Sequence, residues 1–176
     1  MPVSLYQATV PTFIQVTGAI RGVLDKAENY CEENSLDPNT LVEGRLIADM
    51  WTFAFQVQSV AAHSFGAIEG VRRGLFTPTP EQLPTDFASL KQRLDDALGG
   101  LRAVDPEELD SYIGKEVRFE AGHIKFGFIA EDFLFSFSQP NFFFHATTAY
   151  DILRAQGLPM SKLDFLAGMR LKQDPS

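Results

Sequence analysis

The chain has 176 residues, of which 45% are hydrophobic and 22% charged, and its formal net charge is −8. That length buries a sizeable core, the composition excludes a disordered chain, and an acidic balance without a Lys/Arg cluster argues against nucleic acids and anionic membranes as partners. Cys31 is the one cysteine, which excludes a disulfide framework and a thiolate metal cluster.

The N-terminal stretch has no basic residue before Arg21 and is interrupted by Pro11, Gln15 and Thr17. No signal peptide is expected, and no run reaches the ~20 apolar residues of a membrane span. The expectation is one cytoplasmic domain over residues 1–176. Phe13, Ile14, Val16, Ile20, Val23 and Leu24 recur at helical spacing and predict a first helix from Leu5 to Asn34. Pro11 lacks an amide donor and is expected to start or kink it. Cys31 falls within this helix as a thiol of no special reactivity. "NSLDPN" ends the helix, because Pro38 disfavours a helical Asp37.

Thr40-Leu-Val-Glu43 has the form of a capping box and predicts a second helix that runs to Arg73 and stops at Gly74. Its middle, "ADMWTFAFQVQSVAA", is apolar nearly all round, so this helix should be central. Asp49, Phe53, Gln56, Val60 and His63 are spaced to share one face of it. His63 lies about 21 Å beyond Asp49 on such a helix and does not share a site with it.

"FTPTPEQLPTD" is a proline-rich connector. A third helix follows over residues 86–102, weakened at its end by Gly99 and Gly100, and then a short helix capped by Asp105 with Pro106 first. The period then changes. Val117 and Phe119, then Ile124, Phe126 and Phe128, alternate with other residues around Gly122, the pattern of a β-hairpin. His123, beside the turn, reads as an exposed loop histidine. "AEDFLFSF" reads as a helical turn. A last helix starts near Pro140 with Ser138 as its cap and ends at Gly157; Phe165 and Leu166 then pack back on the body. Phenylalanine is the compositional outlier, with 16 in the chain and eight between residues 126 and 144. That much aromatic area must be buried in the core, in an interface or around an apolar ligand. The pattern is mainly α: four long helices with a hairpin between the third and the fourth, a four-helix bundle.

The segments "SLYQATVPTF", "LIADMWTFAFQVQ", "QPNFFFHATTAYDILRAQGLP" and "SKLDFLAG" resemble the family called domain of unknown function 1993, which is grouped with the DinB-like bundles. The resemblance implies a DinB-like four-helix bundle, often paired as a homodimer, in a wider group that includes metal-dependent thiol transferases. Such bundles typically hold a metal on three histidines, one from helix two and two from helix four at i, i+4. Here the matching positions hold Asp49, Asn141 and His145. An amide oxygen is a poor zinc ligand, so the triad reads as eroded and no cofactor is expected; a divalent metal, if present, would take these three residues.

Three functions follow. The first is a small-molecule-binding protein with an apolar aromatic pocket. His145 and Asp49 head the site, and Phe53, Gln56, Asn141, Thr148 and Tyr150 line it. The second is a cofactor-independent isomerase, cyclase or lyase acting on an apolar molecule, with His145 and Asp49 as acid/base pair. The third is a metal-dependent transferase of the DinB-like type. Against all three stands a structural role, in which Asp49, Gln56, Asn141 and His145 satisfy each other inside the bundle.

Overall fold

The structure is a computed structural model that describes residues 3–78 and 83–172. Residues 79–82, in the middle of the proline-rich connector, lie outside the described residues. The first helix, α1, runs from Leu5 to Asn34 and passes through Pro11 without a break. It starts at a capping box: Ser4 Oγ accepts from the Gln7 amide, and Gln7 Oε1 accepts from the Ser4 amide. Ser35, in the left-handed region at φ 53°, closes it.

The second predicted helix is three pieces. Asp37 caps a short helix α2 (Pro38–Val42), with Pro38 at a position whose amide has no helical partner. Thr40 is therefore inside a helical turn and caps nothing. Residues 43–52 form a loop whose ends are pinned by the Phe53 amide on Gly44 O at 2.7 Å. The next helix, α3 (Phe53–His63), starts at Thr52, whose hydroxyl accepts from the Phe55 amide. Ser64, at φ −104° and ψ −93°, interrupts the path before α4 (Phe65–Arg73). Ser64 Oγ bonds back to Val60 O at 2.7 Å, competing with the backbone ladder where the helix breaks.

After strand β1 (Leu75–Phe76), α5 (Phe87–Arg102) is capped by Asp86, which the sequence reading placed within the helix, and α6 (Pro106–Asp110) is capped by Asp105, as the sequence predicts. Gly99 and Gly100 stay helical. Gly100 serves close packing: a Cβ there would lie 2.4 Å from Cζ of Phe65, so the bare backbone lets that ring lie against α5. The hairpin is β2 (Glu116–Ala121) and β3 (Ile124–Ile129), antiparallel, with Gly122 at φ 60° in the turn and His123 exposed. β1 adds to β2 in parallel, giving a three-stranded sheet that the sequence pattern did not suggest. Two residues are too few for any period to register.

A short helix α7 (Ala130–Asp132) leads into a π-helical segment, Phe133–Ser138, and on into α8 (Gln139–Ala155). Ser138 is therefore an internal helical residue, not a cap. Its hydroxyl donates to His63 O, at the break between α3 and α4, over 2.9 Å. Pro140 has no amide to donate one turn later, and Asn141 Nδ2 supplies a bond to Phe137 O at 2.7 Å. A last helix, α9 (Lys162–Phe165), returns the tail to α1, and Phe165 meets Tyr150 edge-on. α3 packs mainly on α8 and α5, and α1 on α5 and α8, so α1, α3–α4, α5 and α8 form the bundle. One contiguous cluster of buried side chains runs through it, including Phe13, Phe53, Leu94 and Phe142, all 0% exposed.

Candidate functional site

The α3–α8 seam carries the polar groups of interest. His145 Nδ1 is 2.7 Å from Gln56 Oε1. The Gln56 amide nitrogen donates to Trp51 O at 3.2 Å. A backbone carbonyl only accepts, so this bond orients the amide with its oxygen toward His145. Nδ1 is then the protonated nitrogen, and Nε2 keeps its lone pair. The buried Gln56, only 1% exposed, thus fixes both the ring's position and its tautomer.

His63 lies beside His145 with its ring nearly parallel, at 18° and 5.7 Å between centroids. Gln56 and His63 are seven residues apart, about 10 Å along a helix at 1.5 Å per residue, and the imidazole of His145 reaches both. Aromatic rings enclose the pair. Phe76 and Phe137 flank His63 at 5.4 and 5.7 Å, and Phe144 and Phe55 flank His145 at 5.4 and 6.0 Å. Burial, with a contribution from His145, pushes the His63 pKa down to about 3. Burial likewise lowers His145 to about 4. Both imidazoles are neutral at physiological pH, because no carboxylate compensates their desolvation.

The pair contributes to the lining of a wide groove of about 1470 Å³, together with residues of α3, α4 and α5 and with Thr77, Pro78 and residues 83–85. Trp51, Phe55, Phe65 and Phe76 contribute its aromatic lining, and Gln58, Ser59, His63 and His145 polar atoms. Two polar atoms of this lining, Gln58 Oε1 and His63 Nδ1, are buried and have no hydrogen-bond partner. His63 is 8% exposed.

Of the predicted site residues, the structure brings Gln56 and His145 together. Asp49 is not on a helix: it lies exposed in a turn of the 43–52 loop. Among the described residues no hydrogen bond or ion pair joins it to His145, so the Asp49–His145 acid/base pair is not formed. The physical reason is the late start of α3 at the Thr52 cap, which takes Asp49 off the shared face. Phe53 is on α3 but wholly buried in the core. Asn141 is half-buried and spends its amide on Phe137 O. Thr148 is buried. Tyr150, five residues past His145 and so about 140° round the helix, meets Phe165 instead.

Sequence reasoning missed His63, Gln58 and Trp51. The signal for His63 was present, since it shares a helix face with Gln56; its distance was measured from Asp49, and its partner is on helix four. Cys31 is buried, and burial pushes its thiol pKa up, as a structural cysteine requires.

The metal reading meets an unsuitable donor set. Asp49, Asn141 and His145 do not converge, and the groove offers two imidazoles with no anionic ligand beside them. Among the described residues no group of three or more His, Cys, Asp or Glu is placed to hold a metal ion. The family's three-ligand site therefore does not fit these residues.

A family model for domain of unknown function 1993 matches residues 5–166. The chain belongs to this family. Its helical bundle also matches solved structures, among them a DinB family member from Shewanella denitrificans. That likeness has a TM-score of 0.80 and 25% identity, and it covers 97% of this chain and 96% of the other. The DinB-like fold expected from the family's motifs is thus the fold observed. No curated protein is significantly similar. Among the described residues, no helix is long and apolar enough to cross a membrane.

Proposed function

We propose that the chain is a small-molecule-binding protein whose ligand lies in the groove beside His63 and His145. The observation that carries this reading is the groove of about 1470 Å³, to whose lining Trp51, Phe55, Phe65, Phe76 and the two imidazoles contribute. A concave groove lined by apolar and aromatic side chains with a few polar groups is the usual form of a small-molecule site. The ligand is largely apolar, because four aromatic side chains contribute to the lining. Native mass spectrometry of protein purified from its own host tests the proposal. The expected result is a retained organic ligand that Ala62→Trp, a change in the groove lining, abolishes. Ligand-free wild-type protein that also fails to take up any apolar compound would overturn it.

A second reading gives the same groove a cofactor-independent proton transfer, as in an isomerisation, cyclisation or elimination. The fixed Nε2 lone pair of His145 favours it, with Gln56 in the orienting place that Asp49 was expected to hold. A base with a pKa of about 4 is weak for abstraction at neutral pH, which ranks this reading below binding. Turnover that survives His145→Ala would eliminate it. A metal-dependent transferase is not favoured, since no third ligand accompanies the imidazoles.

The proposal also makes the chain a single cytoplasmic domain that pairs as a homodimer, with neither nucleic acid nor membrane as partner. Leu46, Ile47, Trp51 and Phe144, between 46% and 60% exposed, supply apolar surface for such pairing, and the net charge of −8 disfavours polyanions.

A further inference from the structure

Among the described residues the sheet ends on an open strand. In the order β1-β2-β3, β3 is an edge, and its Ile124, Phe126 and Ile129 are 44%, 53% and 39% exposed. The ladder decides which of its backbone groups are free. Just past the strand, and in continuation of its register, the Ala130 amide donates to Lys115 O at 2.8 Å. On the far side of β2, the Arg118 amide donates to Gly74 O at 3.0 Å, away from β3. Opposed residues of an antiparallel pair alternate between bonded and non-bonded. Ile124, Phe126 and Phe128 therefore spend their N–H and C=O groups on β2. Lys125, Gly127 and Ile129 turn theirs to the free edge.

Proteins guard such edges with charge, proline, bulges or brevity. β3 has six residues, no proline and an unbroken register. Its one charge, Lys125, leans toward Glu120 of β2 at 3.5 Å. The opposite edge, β1, is only two residues long. There is also room beside β3. Phe126 shares the body-facing side with buried Phe119, on which its ring stacks at 5.8 Å, yet half of it is exposed, so the body stops short of this edge.

The strand complements itself. Set antiparallel to a second copy about a two-fold axis at Gly127, β3 engages every free backbone group. Gly127 bonds Gly127 of the second copy, and Lys125 bonds Ile129 of the second copy, each in both directions. The same register puts Phe126 opposite Phe128 of the second copy and extends the aromatic row across the seam. A two-fold axis at Lys125 would instead oppose two ammonium groups. β3 carries no Asp or Glu, so in a chain of net charge −8 this seam sets no anion against its own copy.

Resting on the homodimer reading, we infer that two copies pair through β3 and continue one sheet across the two-fold axis. The assembly closes there, because the edges left over are the two-residue β1 strands.

Sedimentation of the intact chain over a concentration series tests this with Gly127→Pro and Gly127→Ala. Gly127 lies outside the left-handed region, and a Cβ there meets no atom within 4 Å, so both side chains fit. Proline removes an amide that faces the open edge, a place where monomeric sheets tolerate it. Wild type and Gly127→Ala should dimerise alike. Gly127→Pro, checked for an unchanged helical spectrum, should dimerise at least ~30-fold more weakly, since symmetry removes the bond from both copies and leaves both acceptors unpaired. Amide exchange in the wild type gives a second reading that needs no variant. The Lys125, Gly127 and Ile129 amides should exchange slowly in the dimer and quickly once dilution separates it. Fast exchange at these amides in a dimer, or a dimer untouched by Gly127→Pro, would place the contact elsewhere and overturn the inference while the homodimer reading stands. A wild-type chain that stays monomeric throughout the series would remove both.

Discussion

The two seams of the bundle are built on opposite terms. Between α1 and α5, charges meet at the surface over an aliphatic interior. Arg21 Nε bonds both carboxylate oxygens of Asp95 at 3.0 and 3.1 Å, and Lys91 Nζ bridges Asp25 and Glu28 at 2.7 and 2.5 Å. Burial opposes the ionisation of Asp25, and the bonds from Lys91 and Arg21 outweigh it, so its pKa falls below the ordinary value. Between α3 and α8, polar groups are buried and only partly satisfied: Gln56 bonds His145, while His63 Nδ1 and Gln58 Oε1 have no partner. The first seam pairs its charges internally, although Thr17 Oγ1 of α1 is buried without a partner. The second leaves polar atoms buried without partners beside a groove, at a cost in stability.

The largest effect should come from the interior of the first seam. Leu94 is 0% exposed on α5, and Leu94→Ala should destabilise the fold by about 2–5 kcal/mol in denaturant titration, through lost transfer energy and a residual cavity. An effect below ~1 kcal/mol would mean that the seam collapses to fill the gap, and the contrast between the seams would lose its basis.

Acid should attack the second seam instead. His63 and His145 have folded pKa values of about 3 and about 4, both below the ordinary histidine value of 6.5. The unfolded chain therefore binds protons between pH 6.5 and 4 that the folded chain refuses. Stability is intact above pH 6.5 and falls as the pH drops toward the folded values. At about pH 5.5 the pair should cost about 3 kcal/mol relative to pH 8, as two groups each refusing a proton one unit below the unfolded pKa. Urea titrations across that range check it. In a His63→Phe, His145→Phe double variant the slope should flatten; an equally steep loss in the variant would assign the acid sensitivity to carboxylates.

The sequence made the bundle legible because its signals were local and repeated. Apolar spacing in α1, the Asp105 cap, and alternation around Gly122 each need only neighbouring residues. The site was legible in part, through "PNFFFHATTAY" and the face shared by Gln56 and His63. What escaped was decided across the bundle. Thr52 competes with Thr40 as the helix start, and both have the right hydroxyl; the Gly44–Phe53 bond that closes the 43–52 loop has no local signature. The π-helix before α8 and the break at Ser64 are likewise fixed by each other, through Ser138.

Ser138→Ala tests that coupling. The hydroxyl is 0% exposed and donates to His63 O, so its loss leaves a buried carbonyl without this donor. The expected destabilisation is about 1–2 kcal/mol. A purely local role would stop there. As a positioning residue for His63, Ser138 should also change the contact between the two imidazoles, seen as altered ring resonances of His145, which Ser138 does not hydrogen-bond. Unchanged His145 resonances would confine Ser138 to stability.

Lys91 should matter least, although its contacts are the more numerous. Lys91→Met keeps the aliphatic stem over the seam and removes the ammonium that bridges Asp25 and Glu28. Those carboxylates are 52% and 38% exposed, so water and salt take over much of their stabilisation. Arg21 still holds Asp25 at 2.7 Å. The expected loss is at most about 1 kcal/mol, and it should shrink as salt is added, because exposed charges are screened. A larger, salt-insensitive loss would mean that the ions act as a desolvated network. The first seam would then depend, as the second does, on polar groups shut away from water.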